Sequence, residues 1–185
     1  MDSRFVGLDA TAEVIEVAIR PTGEMWKTDF ADENIAATAE RLKYLQPRSV
    51  VLEAAGTFEL PVAGVFAIQG LPFTMVNPRK IRDFARAIGR FSRFASTQAG
   101  LLAYFGELLD PDPRPLPEAL IEKLKHIRDR RDKVLEMLLM ERQYLTEASP
   151  RLRIDIMRHI NFLEQNVASL NQEFNRTVRC SVVWR

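Results

Sequence analysis

One cysteine, Cys180, stands in the 185 residues. It excludes an internal disulfide framework and suits a reducing compartment, where it reads as an unreactive, partly buried thiol. Histidine is nearly as scarce. His126 and His159 each lack a second metal ligand at i+4, so both read as surface or seam residues rather than a metal centre. An excess of one charge is missing as well: 26 Lys and Arg residues against 25 Asp and Glu give a net charge of +1. No global field therefore draws this chain to nucleic acid, and any such binding must come from local clustering. No apolar run is long enough for a membrane span, and Met1-Asp2-Ser3-Arg4 leads straight into a short strand, so a cytoplasmic protein without a signal peptide is expected. Glycine-rich phosphate loops, Cys-x-x-Cys pairs and Gly-x-Ser-x-Gly elbows are also absent.

What is there describes an ordinary globular protein, 46% hydrophobic and 28% charged, with room for one core plus an extension. The most informative residues are two acids that end apolar, β-branched runs. Phe5-Val6-Gly7-Leu8 leads to Asp9, and Val50-Val51-Leu52 leads to Glu53. Such runs read as buried strands of a mostly parallel sheet. The carboxyl ends of such strands are where open α/β sheets bind ligands, and paired carboxylates there suit a divalent metal such as Mg²⁺.

The order of elements predicts an α/β fold. Three strands are expected at Arg4–Ala10, Glu13–Arg20 and Glu24–Phe30, joined by turns at Thr11-Ala12 and Pro21-Thr22-Gly23. Asp32 is expected to cap a helix carrying Ile35, Ala39, Leu42 and Leu45, stopped by Pro47. The strand ending at Glu53, a helix over 59–69, a strand over 72–77, a basic helix from Pro78 and a helix over 97–109 follow. A three-strand meander followed by β-α-β-α is the order of a ribonuclease-H-like (RuvC-like) mixed sheet with flanking helices. Residues 110–117 then hold four prolines, a stiff linker that no helix or central strand tolerates. Beyond it two long helices without glycine are expected over 118–148 and 151–178. Their apolar seam, Ile156, Ile160, Leu163, Val167, Leu170 and Phe174, steps by four and three for about two and a half heptads, which predicts an antiparallel helical hairpin of coiled-coil type. The expected organisation is a catalytic-type domain at 1–109, a linker at 110–117, a hairpin at 118–179 and a tail at 180–185. A single narrow seam should seek a second copy, so a homo-oligomer through 118–178 is expected.

The basic helix is the other candidate site. Arg79, Lys80, Arg82, Arg86, Arg90 and Arg93 face Asp83 alone. A continuous helix would align Arg79, Arg82, Arg86, Arg90 and Arg93 on one face, opposite Ile81, Phe84, Ala85 and Ile88. Arginine forks suit phosphate oxygens, whereas most charge runs are solvated helix faces. Trp26, Phe58 and Phe73 read as core aromatics.

The wording of these segments resembles the N-terminal half of the DEDD insertion-sequence transposases, the bridge-RNA-guided recombinases that include the Piv-type DNA invertases. The resemblance rests on Gly7-Leu8-Asp9-Ala10, on Val51-Leu52-Glu53-Ala54-Ala55-Gly56, on the block from Val76-Asn77-Pro78-Arg79 to Gly89, and on Leu102-Ala103-Tyr104-Phe105-Gly106-Glu107. The hairpin and its tail resemble the coiled-coil segment of that family. The resemblance implies that Asp9 and Glu53 are the first two of four catalytic acids. It puts Ala95 and Gln98 where the third and fourth should be. It also implies Mg²⁺ as cofactor and DNA with a structured guide RNA as partners, and a further domain carrying a nucleophilic serine that would follow this chain; Ser181 is not that residue.

Two lost acids remove two negative charges from a site built for ions of +2 each. Ala95 supplies no ligand and Gln98 only a neutral oxygen, and Asp83, Glu107 and Asp110 are not natural substitutes. The expectation is a transposase-family chain that is inactive in strand transfer, binds at most one weak ion at Asp9 and Glu53, and keeps nucleic-acid binding and dimerisation. Two alternatives stand beside it: a regulator or interfering partner of the full transposase, and a dimerising relic.

Overall fold

β1 (Phe5–Ala10) runs through the middle of a five-stranded mixed sheet of order β3-β2-β1-β4-β5. The computed structural model describes residues 3–89 and 96–181. These fall into two units, one comprising the chain up to Pro117 with the tail from Val178, the other Glu118–Thr177.

In the first unit β2 (Val14–Arg20) and β3 (Met25–Asp29) continue antiparallel from β1, while β4 (Ser49–Glu53) and β5 (Phe73–Val76) lie parallel on its other side. The short turn at Thr11–Glu13 sets the β1–β2 register. Gly7 pairs with Ala18 and Asp9 with Glu16. On the parallel side Gly7 pairs with Val51 and Leu8 with Leu52. Val50, Val51 and Leu52 are fully buried, as the unbroken apolar run requires of a strand covered on both faces.

α4 (Gln98–Leu109) packs across β1, β2 and β4. Ala99, Ala103 and Gly106, spaced by four and three, are the small side chains that let it lie close. A Cβ on Gly7 would stand 2.1 Å from the Ala99 carbonyl oxygen and 2.2 Å from the Ala103 nitrogen. Backbone touches backbone there, so only glycine fits. Arg20 pins the far end of α4 by a 2.7 Å ion pair with Glu107, its guanidinium 5.6 Å from the Tyr104 ring centroid. α1 (Asp32–Leu45) packs on α2 (Glu59–Gln69), which rests on β4 and β5.

Most expected elements lie within one or two residues of their positions, but several details are corrected. Asp32 is not the cap of α1: Ala31 holds that place without a side-chain hydrogen bond, and Asp32 is in the first turn, where a negative charge complements the helix dipole. Phe58 is 40% exposed and meets Phe30 edge-on, while Trp26 is half-buried beneath the Arg41 guanidinium; of the three expected core aromatics only Phe73 is buried. Cys180 is exposed.

The second unit is a helical hairpin of α5 (Glu118–Glu147) and α6 (Pro150–Arg179). Val134, Leu138 and Ala148 pack against Ile156, Ile160 and Leu163, with Val167 and Leu170 at the margin. Ion pairs Lys123–Glu173 and Arg142–Glu164 tie the helices together, and His159 Nδ1 lies 2.9 Å from Glu141. Leu139, Met140, Tyr144, Ile154, Met157 and Phe162 stay exposed. No helix of the described residues is long and apolar enough to cross a membrane.

Candidate functional site

Asp9 and Glu53 stand side by side because their strands do. Leu8 pairs with Leu52 on adjacent parallel strands, so the next residue on each is an acid. Side chains alternate along a strand, which puts Asp9 with Gly7, and Glu53 with Val51, on the face that α4 covers. Gln98 opens α4, whose start is fixed by Thr97: its hydroxyl accepts a hydrogen bond from the Gly100 amide at 3.1 Å. From there the Gln98 side-chain amide donates to Glu53 Oε2. Glu53 therefore has a neutral amide donor beside it. Ala95, Arg90 and Arg93 lie outside the described residues.

Two further acids border this cleft, and the sequence reading passed over both. Glu16 pairs with Asp9 across the β1–β2 ladder. It sits 3.5 Å from Lys27, and its Oε1 is buried without a hydrogen-bond partner. Glu59, the first residue of α2, is 5% exposed, and its Oε2 is also buried without a partner. A Cβ on Gly56 would lie 3.7 Å from that same oxygen, so the side chain folds back over the β4–α2 turn.

The electrostatics match this crowding. Burial pushes the Asp9 carboxyl above the ordinary carboxylate range and the Glu16 charge adds to the rise, while a hydrogen bond from the Ala10 amide opposes it. Burial likewise raises Glu59. Backbone amides of Glu59 and Gly56 pull it down, and the charges of Asp9 and Glu53 push it up. Three carboxylates, one with an orphaned oxygen, suit a hard divalent cation in donor type and charge. As they are placed, no three acidic, histidine or cysteine side chains among the described residues stand close enough to hold one. The other acids weighed as substitutes are engaged elsewhere: Asp83 is 3.5 Å from Arg86, Glu107 holds Arg20, and Asp110 pairs with Arg48.

The basic helix, α3 (Pro78–Ile88), begins where Asn77 accepts a 2.8 Å hydrogen bond from the Arg79 amide, with Pro78 at the first helical position. Ile81 is buried, and Phe84, Ala85 and Ile88 pack on Val76, Leu101, Leu102 and Phe105. Phe84 meets the Phe105 ring edge-on at 5.2 Å. Arg79, Lys80, Arg82 and Arg86 are exposed. α3 ends at Ile88, and Gly89 takes a positive φ of 61° that L residues rarely adopt; Arg90 and Arg93 of the expected stripe lie outside the described residues. The described basic face therefore comprises four side chains.

A surface cavity of about 630 Å³ opens at the opposite ends of the same strands, lined by Arg4, Thr22, Tyr44 and Arg48 among others. Comparison with protein-family models and with curated proteins returns no significant match.

Proposed function

We propose that the chain is a nucleic-acid-binding member of the DEDD insertion-sequence transposase family. In this reading a ribonuclease-H-like domain is followed by a coiled-coil hairpin, and the strand-transfer site is not competent as it stands. The observation that carries the reading is the geometry around Glu53. Asp9 and Glu53 end neighbouring parallel strands of a sheet ordered β3-β2-β1-β4-β5, and the helix crossing that face delivers Gln98 to Glu53. Those are the places where the family resemblance puts the first, second and fourth acids. The departure from the family is chemical: an amide replaces a carboxylate at 98, and alanine replaces one at 95. A paired-ion mechanism needs charge to neutralise two cations and the developing phosphate charge. Asp9 and Glu53 alone supply too little.

Binding is assigned to α3. Its apolar side is held in the first unit and its exposed side carries Arg79, Lys80, Arg82 and Arg86, the residue types that release counterions from a phosphate backbone. DNA and a structured guide RNA are the partners that the resemblance suggests. The hairpin is assigned to association with a second copy, which would cover apolar side chains such as Met140 and Phe162 that one hairpin leaves exposed. The test is one incubation read in two ways. Labelled duplex DNA or structured RNA should be retained by the protein at low salt with chelator present, and should stay uncut when Mg²⁺ or Mn²⁺ is supplied. Metal-dependent nicking that disappears in Asp9→Ala would overturn the inactive reading, and absence of retention would overturn the binding one.

A further inference from the structure

We propose that the cavity at the amino ends of β1 and β4 is a nucleotide site, in which Arg4 and Arg48 hold a phosphate and the Tyr44 ring stacks on the base. The inference goes beyond the nucleic-acid reading and does not rest on it. A free mononucleotide and one unit of a single strand present the same chemistry to such a site.

The register that sets Asp9 beside Glu53 at one end of the sheet sets two cations side by side at the other. Phe5 pairs with Ser49 on adjacent parallel strands, so the residue before each is an arginine. The Arg48 amide donates to the Arg4 carbonyl at 2.7 Å. Like charges on neighbouring strands repel, and the two guanidinium groups are braced in different ways. Arg4 donates to the Leu45 carbonyl at 3.0 Å, in the last turn of α1, where carbonyls lack helical partners. That acceptor is neutral, so the bond leaves the Arg4 charge in place. Arg48 gives its Nε and Nη2 to the two Asp110 oxygens, at 3.2 and 3.1 Å. A guanidinium held along one edge is oriented in advance, and its Nη1 edge can take a phosphate oxygen.

The cavity measures about 630 Å³, within the range of small-ligand sites. Ser3, Thr22 and Gln46 add hydroxyl and amide groups, and none of the described residues that line it is acidic. Tyr44 also lines it and is 88% exposed, so its ring adds little to the core and is open to a ligand. Bases stack on such rings whatever their identity, because every base has a π face. Two cations and an open ring repel a metal ion and fit a phosphate that carries a base. α3 follows the carboxyl end of β5, which runs parallel to β4. The basic helix and the cavity therefore lie at opposite ends of the sheet and are separate sites.

The test is calorimetric titration of the full chain with adenosine monophosphate in chelator. Saturable binding of one nucleotide per chain is expected, with Kd on the order of 10⁻⁴ to 10⁻³ M. Adenosine and inorganic phosphate should each bind about tenfold more weakly or worse. Arg4→Gln removes a charge and Tyr44→Leu a ring, both from exposed positions that leave the core intact. Each should weaken binding by about tenfold, whereas Tyr44→Phe, which keeps the ring, should bind as the parent does. A 5′-phosphorylated deoxyadenylate hexamer separates the two sources. A gain over the mononucleotide that Tyr44→Leu removes identifies a strand; no gain, or one that survives Tyr44→Leu and so belongs to α3, identifies a free nucleotide. No saturable binding of either probe at about 5 mM, equal affinity for adenosine and its monophosphate, or parental affinity in Tyr44→Leu overturns the proposal. Failure of nucleic-acid retention by α3 leaves the mononucleotide titration unaffected, so the two readings fail separately.

Discussion

Gly7→Ala should be the most damaging single methyl addition in the first unit. The added Cβ would lie 2.1 Å from the Ala99 carbonyl oxygen and 2.2 Å from the Ala103 nitrogen, with the Leu102 carbonyl carbon at 2.8 Å. These are helix backbone atoms and cannot rotate away. To restore ordinary van der Waals separation α4 must lift by roughly 1.3 Å or β1 must bend. Either movement loosens Leu102, Ala103 and Phe105, all buried in the core, and withdraws Gln98 from Glu53. Overpacking a well-filled core costs about 1–3 kcal/mol, and a backbone clash belongs at or above the top of that range. For a unit of this size about 3 kcal/mol lowers the melting temperature by roughly 10 °C or more. Gly106→Ala meets Val51 Cγ2 at 3.1 Å, with Phe5 Cβ in ordinary contact at 3.6 Å, and should cost about 1 kcal/mol or less, because the Val51 methyl can give way. Gly56→Ala, with its nearest contact at 3.7 Å, meets no steric obstacle. Thermal unfolding followed by circular dichroism gives the ranking. A Gly7→Ala melting temperature within about 2 °C of the parent would refute the close approach of α4 to β1, and with it the delivery of Gln98 to the cleft.

Three further outcomes follow from the same geometry. Gln98→Asp removes the donor to Glu53 and adds a like charge, so without metal the variant should lose about 1.5–3 kcal/mol, with Mn²⁺ restoring part of the loss; unchanged unfolding in chelator would contradict the hydrogen bond. Asp9 and Glu59 both have carboxyls raised in the folded state, so their stabilising contribution is complete below the ordinary carboxylate range and is lost as pH rises through the raised values. Melting temperatures in chelator should therefore rise as pH falls through the raised values towards the ordinary carboxylate range, with a smaller rise in Glu59→Gln, and a flat profile there would contradict the crowding. Sedimentation velocity should show concentration-dependent association that Met140→Glu with Phe162→Glu abolishes; a monomer at tens of micromolar, roughly where coiled-coil association is evident, would remove the second copy from the account.

The parts of the fold that were legible are those in which local chemistry and tertiary demand agree. Val50-Val51-Leu52 reads as a strand buried on both faces, and Pro78 marks the start of α3. Arg90 and Arg93, which the spacing would align with a continuous helix, lie outside the described residues. Asp32 looked like a cap because its residue type favours one, but the hydrogen bond was never formed and the helix begins one residue earlier. Glu59 and Glu16 were missed for a different reason. Each touches the cleft through a pairing that composition does not display: Glu16 through an antiparallel register set by a short turn, Glu59 through a chain reversal between β4 and α2. A signal was available for both. Counting back across the Thr11–Glu13 turn puts Glu16 opposite Asp9, and the rule that selected Glu53, an acid at the carboxyl end of a parallel strand, applies equally to the first residue of the helix that follows. The orphaned oxygen on Glu59 was not legible at all, since it depends on packing around the turn.

The measurement that tests the central claim most directly is the salt dependence of nucleic-acid binding in chelator, for the parent chain and for Arg82→Gln with Arg86→Gln. Four phosphate contacts from Arg79, Lys80, Arg82 and Arg86 give a log–log slope of about −3 to −3.5, at about 0.7–0.9 per contact. The double variant should flatten it by roughly 1.4 to 1.8 units by the same rule, while unfolding shifts little because these side chains are exposed. A slope that the two substitutions leave unaltered, or no measurable affinity for duplex DNA or structured RNA at low salt, would mean that the basic side of α3 is only a solvated helix face.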